Sequence, residues 1–124
     1  MAYFYYNANP KGIRTGDCVI RAISYFLGTS WGHTLHSMVD WGEEHGLALF
    51  HYRSFYNLYL KDKGYKKKPV PVKGWTVNDF CEKHAEYDKV YMLQCPRHVT
   101  IVFHKTVIDT WDCSHLEVSG YWEQ

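Results

Sequence analysis

The chain has 124 residues, of which 46% are apolar and 22% are charged. A chain of this length folds as one compact domain, so we expect a single domain over residues 1–124. The composition excludes a disordered tail, a collagen-like chain and a coiled coil. The 14 basic and 13 acidic residues leave a net charge of +1. Because this gives no overall basic field, nucleic acid is not an expected partner.

Targeting segments are not expected in this sequence. The first residues show no basic region, apolar core or cleavage site, so we predict no signal peptide. The longest stretch without Asp, Glu, Lys or Arg, residues 22–39, is too polar to span a membrane. We therefore expect a cytoplasmic protein with no membrane partner. Its four cysteines should be reduced in that compartment; they are Cys18, Cys81, Cys95 and Cys113.

Apolar residues at helical spacing, set between capping residues and glycines, predict four helices. These helices cover about residues 17–27, 31–45, 55–63 and 76–84. The third has Ser54 as its expected N-cap, and Thr76 with Asp79 resembles a capping box at the start of the fourth. In the first helix, Val19, Ile23 and Phe26 mark the face that we expect to pack on strands.

From residue 89 the pattern changes to the alternation that is typical of strands. Four consecutive strands are predicted over residues 89–95, 98–104, 106–111 and 116–122. A block of helices followed by a block of strands is typical of an α+β fold. We therefore expect an α+β protein in which N-terminal helices pack on a C-terminal antiparallel β-meander. The aromatic residues 3–6 are expected to form an edge strand.

Cys18 lies at the predicted N-terminus of the first helix. The helix dipole and the unpaired amide groups at that end stabilise a thiolate, which suits a nucleophile. Asp17 opposes this effect, whereas Arg14 and Arg21 favour it. A buried structural cysteine is the alternative interpretation of the same position.

A histidine and a carboxylate are predicted to meet on the hairpin near the C-terminus. A two-residue turn at residues 104–105 would put His98, Asp109 and Trp111 on one face of the two strands. Asp112, by the same alternation, would help to end the strand or bond the turn that follows. A nucleophile, a base and an orienting carboxylate are the three parts of a catalytic triad.

The order of these residues resembles that of papain-like cysteine peptidases. Those enzymes have a cysteine at the head of an early helix, a later histidine that opens a strand, and an Asp or Asn on the next strand. The Asp-Thr-Trp of residues 109–111 resembles the Asn-Ser-Trp segment of papain. The Asp-Cys of residues 17–18 is similar to that of the peptidase domains that process bacteriocin leader peptides. Residues 9–22 also resemble small phage-encoded proteins of this fold.

The resemblance implies a papain-like fold and a hydrolase that cleaves a peptide or isopeptide bond. Cys18 would attack as a thiolate, His98 would act as base and Asp109 would orient the imidazole. Trp111 would shield the His–Asp contact, and Asp17 would support the cysteine. A protein or peptide would be the substrate, and no cofactor is implied.

The sequence departs from the family at the oxyanion site. In papain-like enzymes a glutamine that precedes the cysteine donates to the oxyanion, but here the corresponding position is Gly12 and no glutamine precedes Cys18. We expect the amide of Asn9, with Asn7 as the alternative, to donate instead. The backbone N–H of Cys18 would be the second donor.

Two other functions stay open from the sequence. One is a papain-fold binding protein without catalysis that sequesters a partner protein. The other is a zinc-stabilised interaction module, because two Cys and two His residues near the ends of the hairpin could hold zinc tetrahedrally. That set is Cys95, His98, Cys113 and His115. Bound metal would favour zinc, whereas stoichiometric labelling of a thiol would favour the enzyme.

Overall fold

A computed structural model describes residues 2–124, and within them it contains four helices and five strands. The fold is α+β. None of the helices in this part of the chain is long and apolar enough to cross a lipid bilayer. In chain order the elements are β1 (Ala2–Tyr5), α1 (Cys18–Leu27), α2 (Trp31–His45), α3 (Arg53–Asp62), α4 (Val77–Lys83), β2 (Tyr91–Cys95), β3 (His98–Phe103), β4 (Thr106–Asp109) and β5 (Gly120–Glu123).

Local capping determines most of the helix ends, as predicted. Gly28 and Gly46 end α1 and α2 with φ of 69° and 73°, a region that glycine enters without a steric penalty. Both halves of the predicted capping box are present at α4. The start of α3 differs, because the carbonyl of Tyr52 already accepts from the N–H groups of Phe55 and the next residue. The helix therefore begins at Arg53, and the predicted cap Ser54 lies inside it.

The sheet is mixed, with strand order β1-β4-β3-β2-β5. Strands β2, β3 and β4 are antiparallel neighbours, as predicted. The predicted meander is wrong for the last strand, because β5 pairs with β2. The physical reason is that β1, the predicted aromatic edge strand, pairs in parallel with β4 and occupies that edge. The other edge of the three antiparallel strands is β2, and β5 pairs there.

The β3–β4 hairpin has the predicted two-residue turn. Phe103 pairs with Thr106, and the central residues His104 and Lys105 have φ of 54° and 55°. Positive φ at both central positions is the geometry of a type I′ turn, which matches the twist of the strands but favours Asn and Gly. The turn fixes the register of the hairpin and so decides which side chains share a face.

Replacing Lys105 by glycine should raise the free energy of unfolding by about 1 kcal/mol. A residue with a Cβ atom loses roughly 1–2 kcal/mol in the left-handed region, and the greater entropy of glycine in the unfolded chain offsets part of that gain. Denaturant melts measure the change. Lys73→Gly, at an exposed loop position outside the positive-φ set, is the control and should give no gain. A loss of stability in Lys105→Gly would contradict the strain argument.

The sheet is covered on both faces. Val19, Ile23 and Phe26 of α1 are almost fully buried and join Val99 and Ile101 of β3 in one apolar cluster. Strand residues that point to the other face, such as Val102 and Val107, belong to a second apolar cluster. Helix α4 contributes to that cluster and so covers the opposite face of the sheet. The predicted face of α1 is therefore confirmed, and α1 rests directly on the strand that begins with His98.

Candidate functional site

The fold brings together the three residues that the sequence proposed as a catalytic set. Cys18 is the first residue of α1, His98 is the first residue of β3, and Asp109 is the last residue of β4. Because α1 packs on β3, and β4 pairs with β3, the three side chains meet at one end of the sheet. The Nε2 atom of His98 lies 2.7 Å from Oδ2 of Asp109. Cys18 lines the same groove as His98, and the neighbouring imidazole contributes to lowering the pKa of its thiol.

Asp109 is a buried carboxylate whose two oxygens are both occupied. Oδ2 accepts from the hydroxyl of Thr100 at 2.6 Å, in addition to His98. Oδ1 accepts from the backbone N–H of Thr110 at 2.7 Å and from Nη1 of Arg21 at 3.0 Å. Burial by itself would raise the pKa of Asp109, but the hydrogen bonds and the charge of His98 outweigh it and lower the pKa to about 2. The carboxylate is therefore ionised at neutral pH.

His98 is held with a defined ring orientation. Since Asp109 takes Nε2, the nitrogen left to face the thiol is Nδ1. Burial opposes the imidazolium, but hydrogen bonds to Asp109, Cys113 and Cys18 raise the pKa of His98 to about 11. The ring of Trp111 packs edge-on against the imidazole, with centroids 5.2 Å apart. The His98 side chain is 8% exposed.

Arg21 joins the start of α1 to the carboxylate on β4. Its Nε donates to Asp17 at 2.8 Å and its Nη1 donates to Asp109 at 3.0 Å. The Arg21 side chain is only 11% exposed, so solvent screens neither ion pair strongly. From the sequence, the negative charge of Asp17 is expected to oppose a thiolate at Cys18. The adjacent guanidinium of Arg21 balances that charge.

Asn9, the predicted oxyanion donor, is engaged with Asp17. Its Nδ2 donates to Oδ2 of Asp17 at 3.2 Å, and its Oδ1 accepts from the backbone N–H of Lys11 at 2.9 Å. Trp31 Nε1 donates to the same Asp17 oxygen at 2.9 Å. Within residues 2–124 no hydrogen bond joins Asn9 to Cys18. Its observed contact is therefore with the residue that precedes the cysteine.

The environment of Cys18 differs from that of two other cysteines. Burial opposes its thiolate, but hydrogen bonds from His98 and from the backbone N–H of Val99 lower the pKa of Cys18 below its usual value. Cys81 and Cys95 lie in the core, where burial raises the pKa of each thiol to about 12. Cys18 is also only partly buried, so a reagent can reach it.

The predicted zinc set is not assembled. Among residues 2–124, one group of three side chains could hold a metal ion. It consists of His98, Asp109 and Cys113, whose ligand atoms lie within 4.8 Å of one another. Cys95 is outside that group, and His115 is exposed, with its ring against the edge of Trp111. The four residues proposed from spacing therefore do not converge on one point.

Two neighbours of the site, Cys113 and Arg21, contact Asp109, which the sequence did not predict for either of them. Cys113 is buried, with its Sγ 3.5 Å from Oδ2 of Asp109. It continues the alternation of Asp109 and Trp111, so the same parity argument points to it. Arg21 lies four residues after Asp17, a spacing that allows an ion pair on one helix face. The sequence therefore indicates the Arg21–Asp17 pair but not the pair of Arg21 with Asp109.

A groove of about 800 Å³ opens beside Cys18 and His98. Most of its wall is apolar, with arginine and tyrosine side chains among the lining residues. The groove extends from the start of α1 to the start of α3 and to the turn between β2 and β3. Its lining residues include Arg53, Tyr56, Pro96 and Arg97.

The two acids that follow His98 should respond differently to mutation. Asp109→Ala should slow alkylation of Cys18 at neutral pH by about tenfold or more, because it removes the partner that keeps the imidazole charged. Asp112→Ala should leave the rate within about twofold, since exposed Asp112 only accepts from the N–H of Ser114, at 3.1 Å. The rate of alkylation by iodoacetamide measures both. Slowing in Asp112→Ala alone would show that the wrong acid has been assigned.

No protein-family model matches the chain, and no curated protein or solved structure matches it either. The chemistry of the site is therefore the indication of function. That chemistry consists of a buried carboxylate, an imidazole that it holds by Nε2, and a thiol at a helix N-terminus on the wall of a groove.

Proposed function

We propose that the protein is a papain-like cysteine hydrolase that cleaves a peptide or isopeptide bond in a protein or peptide. One observation carries this proposal: His98 hydrogen-bonds to Asp109 and lines one groove with Cys18, whose thiolate it stabilises. An imidazole between a thiol and a buried carboxylate is the arrangement that nucleophilic acyl transfer requires. The lowered pKa of Cys18 is a further support, because the thiolate is the attacking species.

In the proposed reaction, the thiolate Sγ of Cys18 attacks the carbonyl carbon of the scissile amide. The tetrahedral intermediate collapses when Nδ1–H of His98 protonates the leaving nitrogen, and a thioester to Cys18 remains. His98 then removes a proton from water, which attacks the thioester. The products are a carboxylic acid, an amine and the regenerated Cys18. Asp109 keeps Nε2–H oriented in every step.

The oxyanion of the intermediate needs donors close to Sγ. The backbone N–H of Cys18 belongs to the first turn of α1, where N–H groups have no partner within the helix. Asn9 donates one N–H to Asp17, and its amide carries a second N–H. In this mechanism Asn9 donates to the oxyanion through that second N–H and also supports Asp17.

Cleavage of a peptide library tests the proposal. Wild type, Cys18→Ser and Asp112→Ala are incubated with peptides from a digested proteome, and new termini are identified by mass spectrometry. We expect new termini with wild type and with the control Asp112→Ala, and none with Cys18→Ser. If Cys18 is alkylated rapidly but wild type makes no new termini, the hydrolase proposal is wrong. The non-catalytic binding protein is then the better interpretation.

A further inference from the structure

We propose that the groove beside Cys18 binds an acidic side chain of the substrate, with Arg53 and Arg97 as the residues that recognise it. This inference rests on the proposed function, because it names the substrate class for the same site. The occupant is an extended peptide segment that carries Asp or Glu next to apolar residues.

The groove carries positive charge that no protein carboxylate balances. Arg53 and Arg97 line it together with Cys18 and His98, and none of its lining residues is Asp or Glu. Neither arginine forms an ion pair in the part of the chain that the structure describes. Since the whole chain has a net charge of only +1, this charge is a local property of the groove.

Hydrogen bonds fix one wall of the groove as a donor surface. Lys67 donates to Oε1 of Gln94, so the amide nitrogen of Gln94 faces Tyr56 and donates to its hydroxyl at 2.7 Å. On the same wall, Nη2 of Arg53 donates to the carbonyl of Cys95 at 3.1 Å. Because the Tyr56 oxygen accepts from the amide nitrogen of Gln94, its own hydrogen is left for an acceptor in the groove. Tyr56 is only 2% exposed, so the position of its hydroxyl is fixed by the surrounding protein.

Arg97 occupies a backbone position that favours glycine. It follows Pro96 in the turn between β2 and β3 and has φ of 54°. A positive φ at the second central position after proline is typical of a type II turn, where glycine is the usual residue. A strained non-glycine residue at the rim of a site is an indication that its side chain has a function.

A carboxylate fits these donors best. A guanidinium binds a carboxylate through two parallel hydrogen bonds, and a neighbouring hydroxyl adds a third donor. The remaining, largely apolar wall suits the rest of a peptide. Tyr56 and Arg53 could instead donate hydrogen bonds to the oxyanion of the reaction. Peptides with and without an acidic side chain distinguish that role from recognition of the substrate.

Alkylation of Cys18 by two matched reagents tests the charge of the groove without turnover. In both cases the thiolate displaces iodide, but iodoacetate is an anion and iodoacetamide is neutral. At low salt, Arg53→Gln and Arg97→Gly should each lower the iodoacetate-to-iodoacetamide rate ratio about two- to threefold, the effect of one charge several ångströms away. Arg97→Gly also relieves the positive φ, so folding is retained. The control Lys73→Gln, outside the groove, should leave the ratio unchanged.

An unchanged ratio in both arginine variants overturns the inference, whether or not the protein is a peptidase. A lowered ratio without any cleavage of peptides keeps the anionic ligand and rejects only the hydrolase. A pair of cleaved library peptides that differ by Glu against Gln then gives the second readout. We expect Arg53→Gln to raise KM for the Glu peptide about tenfold and to leave the Gln peptide nearly unchanged. An equal loss of kcat for both peptides would assign the arginine to the oxyanion and overturn the inference.

Discussion

Replacing Phe26 by alanine should lower the free energy of unfolding by about 3–5 kcal/mol. Phe26 is fully buried in α1, packs edge-on against Tyr65 with ring centroids 5.0 Å apart, and belongs to the cluster that seats α1 on the sheet. The loss combines the transfer of the ring with the cavity that it leaves. Denaturant melts followed by tryptophan fluorescence measure it.

Two further variants make the Phe26 measurement interpretable. Phe26→Leu removes less volume and should cost about 1–2 kcal/mol, so it keeps the test usable if the alanine variant does not fold. Val39→Ala, at a half-exposed position of α2, should change stability by less than about 1 kcal/mol. A loss below about 1 kcal/mol for Phe26→Ala would show that α1 is not the central helix.

Replacing Arg21 by alanine should also be strongly destabilising, by about 3 kcal/mol. The change leaves two carboxylates, Asp17 and Asp109, with side-chain exposures of 8% and 2%, without their shared cation. Removing one partner of a buried ion pair typically costs 3–5 kcal/mol, and the remaining donors to both acids reduce the loss here. The free energy of unfolding at neutral pH measures it.

The chain offers a matched control for Arg21. Lys83 forms the same four-residue spacing with Asp79, but both side chains are well exposed, at 57% and 30%. Lys83→Ala should therefore cost no more than about 0.5 kcal/mol. Equal small losses in the two variants would show that the Arg21 bridge is not structural. In Arg21→Lys, which keeps the charge but not the two-pronged geometry, we expect an intermediate loss.

Local signals explain why much of the fold and the site was predictable. Glycines with positive φ end α1 and α2, and the capping box begins α4, so these boundaries depend on residues within one turn of them. The meeting of His98 and Asp109 follows from the period of two along a strand and from the length of one turn. Both features depend on residues that are close to one another in the sequence.

The remaining features depend on contacts between distant residues. Nothing near β5 in sequence indicates that it pairs with β2, because that choice follows from β1 already occupying the β4 edge. The engagement of Asn9 with Asp17 and the donor chain from Gln94 to Tyr56 likewise join separate elements. Spacing alone suggested a zinc set, but the tertiary fold gathers a different group around His98.

The ion pair of Cys18 and His98 should appear in the pH dependence of alkylation. Although burial opposes both charges, the hydrogen bonds lower the pKa of Cys18 and raise that of His98 to about 11. The thiolate should therefore persist to lower pH than that of a free cysteine, and its reactivity should be lost only as the pH falls through the lowered Cys18 pKa. The titration belongs to the pair and is assigned to it as a whole.

The most direct test is the rate of iodoacetamide labelling of each cysteine from about pH 5 to pH 9, read by mass spectrometry on the folded protein. We predict rapid labelling of Cys18 at about pH 6, where Cys81 and Cys95 stay silent because burial raises the pKa of each to about 12. His98→Ala should move the Cys18 profile towards the free-thiol value of about 8.5 without unfolding the protein. Labelling of Cys18 at about pH 6 that is no faster than that of the buried cysteines, or a profile unchanged by His98→Ala, would contradict the proposed Cys–His pair.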